Sequence, residues 1–523
     1  MATSHQRLPT IWHEREALRA KGQFWTPDWV ASAMVAYAVG DTSDHVFDPA
    51  VGAGAFFRAA KAHGYGTGTT LRLMGCEIDQ AALNEALTTG LIEEDLSGVA
   101  MSDFLLHPPS VRPHSIVANP PYIRHHRLSS SLKQEMRCLC QRLLGRSLDA
   151  RAGSHVYFLV RALEILADGG RLAFILPADT CEGVFANTLW SWIALNYRVD
   201  AVVTFTPDAT PFPGVDTNPM IVLIQKSRPR AEFCWARCAV SQTDDLTRCI
   251  ASGFSDDRNG AISVHIRSIA EGLKTGMSRP PMEEGMDTGP TLGDFARVMR
   301  GIATGENSFF FLTKQRAQEL GIPPEFLTPA IGRTRDVQGS CITDETITDL
   351  ERRDRPTLLL SVNGQPFESL PETLRDYIRA GEEEGFHRKA LISTRRPWYK
   401  MECRSVPPLL FAYLGRRNAR FILNTAGVLP LTGFLCVYPR IDSPLLVKKL
   451  YQVLQHPQTV AGLALVGKSY GSGAVKVEPR ALERLPLPRS AVEEAGLWDF
   501  RLGEQLGFVM EKRADYSVSP ESI

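Results

Sequence analysis

Asn119-Pro120-Pro121-Tyr122 interrupts the apolar run Ile116-Val117-Ala118, and a basic segment, Arg124-His125-His126-Arg127, follows it. Proline has no N–H, and two in succession fix the backbone where a strand ends. This arrangement can present the Asn119 side-chain oxygen and the Pro120 carbonyl as rigid acceptors with no competing donor. Tyr122 places a ring beside them. Two acceptors and a ring suit a planar group bearing –NH2, such as N6 of adenine. A structural turn explains a lone Asn-Pro-Pro. It does not explain why the turn follows a strand of a sheet that already carries a nucleotide-like pocket.

Three stretches make up that pocket. In "VFDPAVGAGAFFRAA" a strand ends at Asp48, small residues follow, and a helix begins. Gly52 and Gly54 let the backbone approach a ligand closely. The third glycine of the dinucleotide fingerprint is missing, and no Lys-Ser/Thr follows as in a P-loop. In "MGCEIDQ" an acid closes the second strand, where ribose hydroxyls are held in doubly wound folds. Glu77 is the better candidate for that role, and Asp79 suits the start of the next helix. In "MSDFLL" the pair Asp103-Phe104 could bond an exocyclic amine and cover a purine ring.

Short apolar strands alternating with helical patterns must position these groups. "HVFDPA", "LRLMGCEID", "SIVANPPY", "RLAFILPA", "VDAVVTF" and "PMIVLIQK" read as strands, and "GSHVYFLVRALEILADGG" as a long helix. Uniformly apolar strands alternating with helices predict an α/β fold, a mostly parallel, doubly wound, Rossmann-like sheet covered on both faces. Upstream, residues 1–45 read as helical, with Thr26-Pro27-Asp28 as cap, first-turn proline and early acid. The pattern loosens over 228–290, and "SRPPMEEGMDTGP" reads as a boundary. The expected domains are 1–275, catalytic; 276–290, linker; 291–490, a mixed α/β second domain with many arginines and aromatics; and 491–523, a helical tail.

The 523 residues are too many for one ordinary domain, and 44% hydrophobic residues can fill normal cores. Zero formal net charge neither suggests nor excludes a nucleic-acid partner, so any basic surface must be local. The pairs Cys138/Cys140 and Cys234/Cys238 have no second pair at zinc-site spacing, so no metal is expected. No signal peptide or run of about 18–20 apolar residues is evident, which makes a soluble cytoplasmic protein the expectation.

In this order the motifs resemble the gamma-class, TaqI-like adenine-N6 DNA methyltransferases with a C-terminal target-recognition domain. "GQFWTP", with Phe24 and Thr26, is similar to the family's leading cofactor motif. "DPAVGAGAF" resembles its S-adenosyl-L-methionine (AdoMet) loop, with Asp48, Ala50, Gly52 and Gly54. "CEID", with Glu77 and Ile78, is similar to its ribose acid, "SDFL", with Asp103 and Phe104, to its adenine contact, and "NPPY" to its catalytic motif. Asn119 would then adjoin the cofactor as well as the base. "TPFPGVDTNPMIVLIQK" is similar to a late motif whose phenylalanine, here Phe212, faces the target base. "VMRGIATGENSFFFLT" and "SGAVKVEPRALERLPLP" resemble the two ends of the recognition domain.

The resemblance implies AdoMet as cofactor, double-stranded DNA as substrate, and methyl transfer to N6 of a flipped adenine held by Asn119, Pro120, Tyr122 and Phe212. Arg124, His125 and Arg127 would meet flanking phosphates. Arg300, Thr304, Arg333, Arg335, Arg395, Arg396, Arg416, Arg417, Lys468, Ser469 and Tyr470 are candidates for DNA contact, whereas Trp398-Tyr399 reads better as core. Few residues precede the first motif and no Glu-x-Lys constellation is evident, so the expectation is a modifying, non-cutting partner of a separate nuclease or defence system. The same Asn-Pro-Pro-Tyr chemistry would serve an RNA or protein-glutamine methyltransferase, and an idle DNA-binding scaffold is a third reading. The long arginine-bearing C-terminal domain favours the first.

Overall fold

The computed structural model describes residues 25–40, 43–181, 185–213, 215, 217–255, 260–281, 289–412, 419–469 and 475–500. These fall into two compact units, one running to Pro281 and one from Gly289 onward. Among the described residues, each apolar cluster lies wholly within one unit. No helix among them is long and apolar enough to cross a membrane.

The first unit begins with helix α1 (Asp28–Val39), followed by β1 (His45–Asp48), α2 (Ala55–Thr67), β2 (Arg72–Glu77) and α3 (Gln80–Thr88). Next come β3 (Val99–Met101), β4 (Ser115–Ala118), α4 (Ser130–Leu144), α5 (Ser154–Ile165), β5 (Arg171–Pro177) and α6 (Ala186–Asn196). The sheet continues with β6 (Arg198–Phe205), β7 (Pro219–Gln225), β8 (Glu232–Cys238) and β9 (Ile262–Ser268). The nine strands run in the order β3-β2-β1-β4-β5-β7-β6-β8-β9. β1 through β5 are mutually parallel, and β7 lies antiparallel between β5 and β6. The 3-2-1-4-5 half is the order of a Rossmann sheet, while the reversed β7 departs from the dinucleotide fold.

β1 and β4 are buried along their whole length. This is why both read as unbroken apolar runs: a strand covered on both faces has no polar side to alternate. One buried cluster joins β4 and β5 to α5 and α6. The other seats α1 and α2 on the opposite face. The strand order reverses between β1 and β4, and ligands of open α/β sheets bind beyond the strand ends at such a switch point. β1 delivers Asp48 there and β4 delivers Asn119.

Three expectations change. Pro27 is the cap residue of α1 and makes no side-chain cap bond, so Thr26 is not spent on capping. The loosened stretch after residue 228 contains β8 and β9, which extend the sheet, and β9 pairs antiparallel. α4, with polar residues on most of its surface and only Met136, Leu139 and Cys140 buried, was not evident from the sequence. The stretch after β9 is tied back to this unit by the buried Arg267. Its guanidinium donates to the carbonyls of Gly276, at 3.2 Å, and Arg279, at 2.5 Å, and pairs with Glu271 at 2.9 Å.

The second unit has a five-stranded sheet ordered Ala296–Arg300, Phe434–Pro439, Leu409–Ala412, Arg420–Asn424, Cys341–Ile342. A smaller four-stranded sheet contains Leu327–Ile331 and Leu358–Leu360. The two ends of this unit meet: Val298 donates its N–H to Glu483 at 2.8 Å, and Thr291 bridges Pro486. Arg489–Glu494 is a short helix, and the rest of the expected tail beyond Phe500 lies outside the described residues.

Candidate active site

The loop after β1 is built around two carboxylates. Asp48 is 0% exposed, and its Oδ1 accepts from the Ala50 N–H at 2.9 Å. Its Oδ2 is buried with no partner. Burial pushes its pKa up to about 8, with the Ala50 N–H opposing the rise and the neighbouring Glu77 adding to it. Glu77 takes the Gly52 N–H on Oε2 at 2.8 Å, and the Ile78 and Asp79 N–H groups on Oε1 at 2.8 and 2.9 Å. It therefore ties the glycine loop to the end of β2. Asp79 caps α3 by accepting from Ala81 at 3.0 Å. Gly52 and Gly54 have φ of 55° and 75°, a region that L side chains seldom adopt.

At the end of β4, the Asn119 amide nitrogen donates to Thr26 Oγ1 at 3.2 Å. Pro120 is buried and Tyr122 half-buried. The Tyr122 hydroxyl donates to the Ile175 carbonyl on β5 at 3.1 Å, and burial raises its pKa. The His155 ring stands edge-on to the Tyr122 ring, with centroids 5.7 Å apart. Burial lowers the His155 pKa to about 4, against a smaller opposing pull from Asp179, so the imidazole is neutral near pH 7.

Two aromatic residues sit differently from expectation. Phe104 is 1% exposed, with its ring between Phe47, at 5.9 Å, and Phe158, at 5.5 Å. It supports the loop from the core and presents no open face, because the apolar cluster under β1 and α5 takes the ring. Phe212 is 4% exposed inside the cluster that also holds Val30 and Phe205, so its ring is not open to a stacked base in this conformation. Asp103 Oδ1 accepts from the Leu105 N–H at 2.9 Å, forming a turn.

Arg124 and Arg127 are exposed and His125 half-buried, around a single 3₁₀ turn, His125–Arg127. In the second unit, Arg300 pairs with Glu478. Thr304 is buried and donates to Asn307 Oδ1 at 2.5 Å, which removes it from the candidates for base contact. Arg395 is half-buried, lies 5.3 Å over the Phe310 ring and donates to the Ala303 carbonyl at 2.7 Å, so this guanidinium is built into the fold. Arg396 is exposed and donates to the Ser393 and Arg395 carbonyls at 2.7 and 2.8 Å. Arg333 and Arg335 are both exposed. Trp398 donates to Glu382 at 2.7 Å and Tyr399 is buried. Lys468 and Ser469 form a two-residue strand. The expectations for Phe24, Arg416, Arg417 and Tyr470 fall outside the described residues.

Sequence reasoning missed three supporting residues. It assigned Thr26 to a cap or cofactor role and did not foresee its bond to Asn119. It read Ser154 and His155 only as the start of a helix, although that start abuts the Asn119–Tyr122 loop. A small polar residue directly after Gly153 was the available signal.

The residues at the switch point fit AdoMet. A buried carboxyl with an orphaned oxygen suits a cationic amino group. Ile78, 71% exposed beside Glu77, offers an apolar surface to a planar base. Fold and site together define an AdoMet-dependent α/β methyltransferase, with AdoMet as methyl donor.

Comparison with known proteins narrows the class. Residues 13–238 match the N-6 DNA Methylase family, and residues 284–504 match the C-terminal domain of Type II methyltransferase M.Eco57I. The first unit thus carries an N-6 DNA Methylase domain, and the second a domain of the M.Eco57I C-terminal type. It is 22% identical over 474 residues to the Type II methyltransferase M.AccI of Acinetobacter calcoaceticus, covering 88% of this chain and 84% of that one. Identity to M.XamI of Xanthomonas campestris pv. amaranthicola is 23% over 483 residues, covering 89% and 85%. The solved Type IIL restriction-modification enzyme MmeI in complex with DNA shares the fold, with a TM-score of 0.51 and 12% identity. That match covers 91% of this chain but only 64% of the longer MmeI chain.

Proposed function

We propose that the chain methylates N6 of an adenine taken out of duplex DNA and held at Asn119–Tyr122, with the second unit selecting the site. The observation that carries this reading is the anchored Asn119. With its nitrogen bonded to Thr26 Oγ1 at 3.2 Å, the side-chain oxygen is the end that can accept. AdoMet, when bound, supplies an electrophilic sulfonium methyl. Adenine N6 is a poor nucleophile because its lone pair is delocalised into the ring. Acceptors at Asn119 Oδ1 and the Pro120 carbonyl favour a pyramidal nitrogen as positive charge develops, which is stabilisation specific to the transition state.

Extruding the base costs a few kcal/mol. Stacking on Tyr122, about 1–3 kcal/mol by analogy with other aromatic–base contacts, offsets much of that. Phe212 would join only if its ring left the cluster around α1. Arg124, His125 and Arg127, which follow the Asn119–Tyr122 loop, would meet flanking phosphates, and Arg333, Arg335 and Arg396 are exposed arginines of the second unit that suit the same role. The relatives' names suit a modification enzyme working beside a separately encoded restriction nuclease.

The test is transfer of labelled methyl from AdoMet to duplex DNA containing the site, the site itself being found by methylome sequencing of an expressing host. Asn119→Ala should lower turnover at least about 100-fold, the scale seen when one preset polar group is removed. AdoMet affinity should stay within a few-fold. Label found only in RNA or protein would replace this reading with the alternative substrates.

A further inference from the structure

The Tyr122 ring is held by more than its own chain. Ser154, the first residue of α5, is buried. Its hydroxyl donates to the Pro121 carbonyl and accepts from the Ile123 N–H at 3.0 Å. Its own N–H donates to the Ile123 carbonyl at 3.0 Å. One serine thus satisfies polar groups on both sides of Tyr122, in a loop where Pro120 and Pro121 have no N–H to give. The fit is close: a Cβ on Gly153 would stand 2.9 Å from the Ile123 carbonyl oxygen and 2.8 Å from His155 Cε1. A fourth hydrogen bond runs from the Tyr122 hydroxyl to the Ile175 carbonyl, at 3.1 Å.

We infer that Ser154 is a positioning residue for methyl transfer: it locks the Pro121–Ile123 backbone so that the Tyr122 ring is preset to receive the displaced base. This rests on the reading of Tyr122 as the stacking platform. Ordering the platform in advance spares that cost when the base arrives. Without the serine hydroxyl, the Pro121 carbonyl and Ile123 N–H lose their partner, and the loop must be ordered anew in each encounter. The defect should fall on base capture and turnover, while the AdoMet loop, built by β1 and β2, is untouched.

The experiment compares wild type, Ser154→Ala and Gly153→Ala in full-length protein. Gly153→Ala keeps the hydroxyl but displaces the helix start, and it carries the test should Ser154→Ala fail to fold. Each is assayed on a duplex with a paired target adenine and on one with that adenine mismatched, for which extrusion is cheaper. Expected is a roughly 10–100-fold fall in kcat on the paired duplex, the scale of losing one buried hydrogen-bonding partner. AdoMet Kd should be unchanged, the 2-aminopurine signal at the target position should be lost, and the mismatched duplex should recover most of the kcat. Wild-type kcat in the variants, or an equal defect on both duplexes, overturns the inference. Absence of adenine methylation by wild type would instead refute the proposed function.

Discussion

Asp48 is a carboxylate held wholly out of water. With its pKa raised to about 8, it is mostly protonated at neutral pH before ligand binds. An unfolded aspartate titrates near 3.9, so this raised value costs stability as pH climbs from about 4 to 8 and adds no further cost above that. A cationic amino group beside Oδ2 favours the anion, so binding expels the proton. AdoMet affinity should therefore rise between pH 6 and 8, by up to about tenfold per unit. Titration calorimetry in buffers of different ionisation enthalpy should show proton release in that range. Asp48→Asn should flatten the profile. A pH-independent wild-type affinity would show that Asp48 does not meet the donor's charge.

Elements decide whether such residues meet. Gly75 on β2 sits opposite Asp48 on β1. A Cβ there would stand 2.5 Å from both the Asp48 carbonyl oxygen and Val51 Cγ2. Gly75→Ala should cost about 1–3 kcal/mol by overpacking and weaken AdoMet binding. Gly145→Ala, where an added Cβ meets nothing within 4 Å, should spare AdoMet binding. Thermal unfolding with and without AdoMet reads both effects, and an unchanged Gly75→Ala melt would mean that β1 and β2 can part cheaply.

β1 and β4 were legible because burial along their whole length makes them continuous apolar runs, and the strands that build this site each lead into a polar signal, Asp48, Glu77 or Asn119. α4 was not legible, because only three of its residues are buried. Nor was the inward turn of Phe104 and Phe212. A ring covering a ligand and a ring filling the core look the same in sequence. Thr26 to Asn119 spans 93 positions, and only the folded sheet brings the two side chains together.

On the scale of the whole molecule, separate cores imply separate stabilities. Residues 1–281, expressed alone, should fold and bind AdoMet with near wild-type affinity, because both carboxylates and the backbone N–H groups they hold belong to that unit. Site preference on DNA should be lost, since the M.Eco57I-type domain is absent. A fragment that is insoluble or blind to AdoMet would show that the second unit is needed to complete the first. In the sequence, the signal for a division is the shift in texture near residue 290. The sequence could not show which arginines the fold itself engages, because Arg300 and Arg395 meet Glu478 and Ala303 through folding alone.

The most direct test of the account is nucleoside analysis of duplex DNA after incubation with AdoMet and either wild type or Asn119→Ala. Wild type should produce N6-methyladenine, and Asn119→Ala essentially none while still binding AdoMet. Methylation of another base, or N6-methyladenine formed equally by the variant, would contradict it.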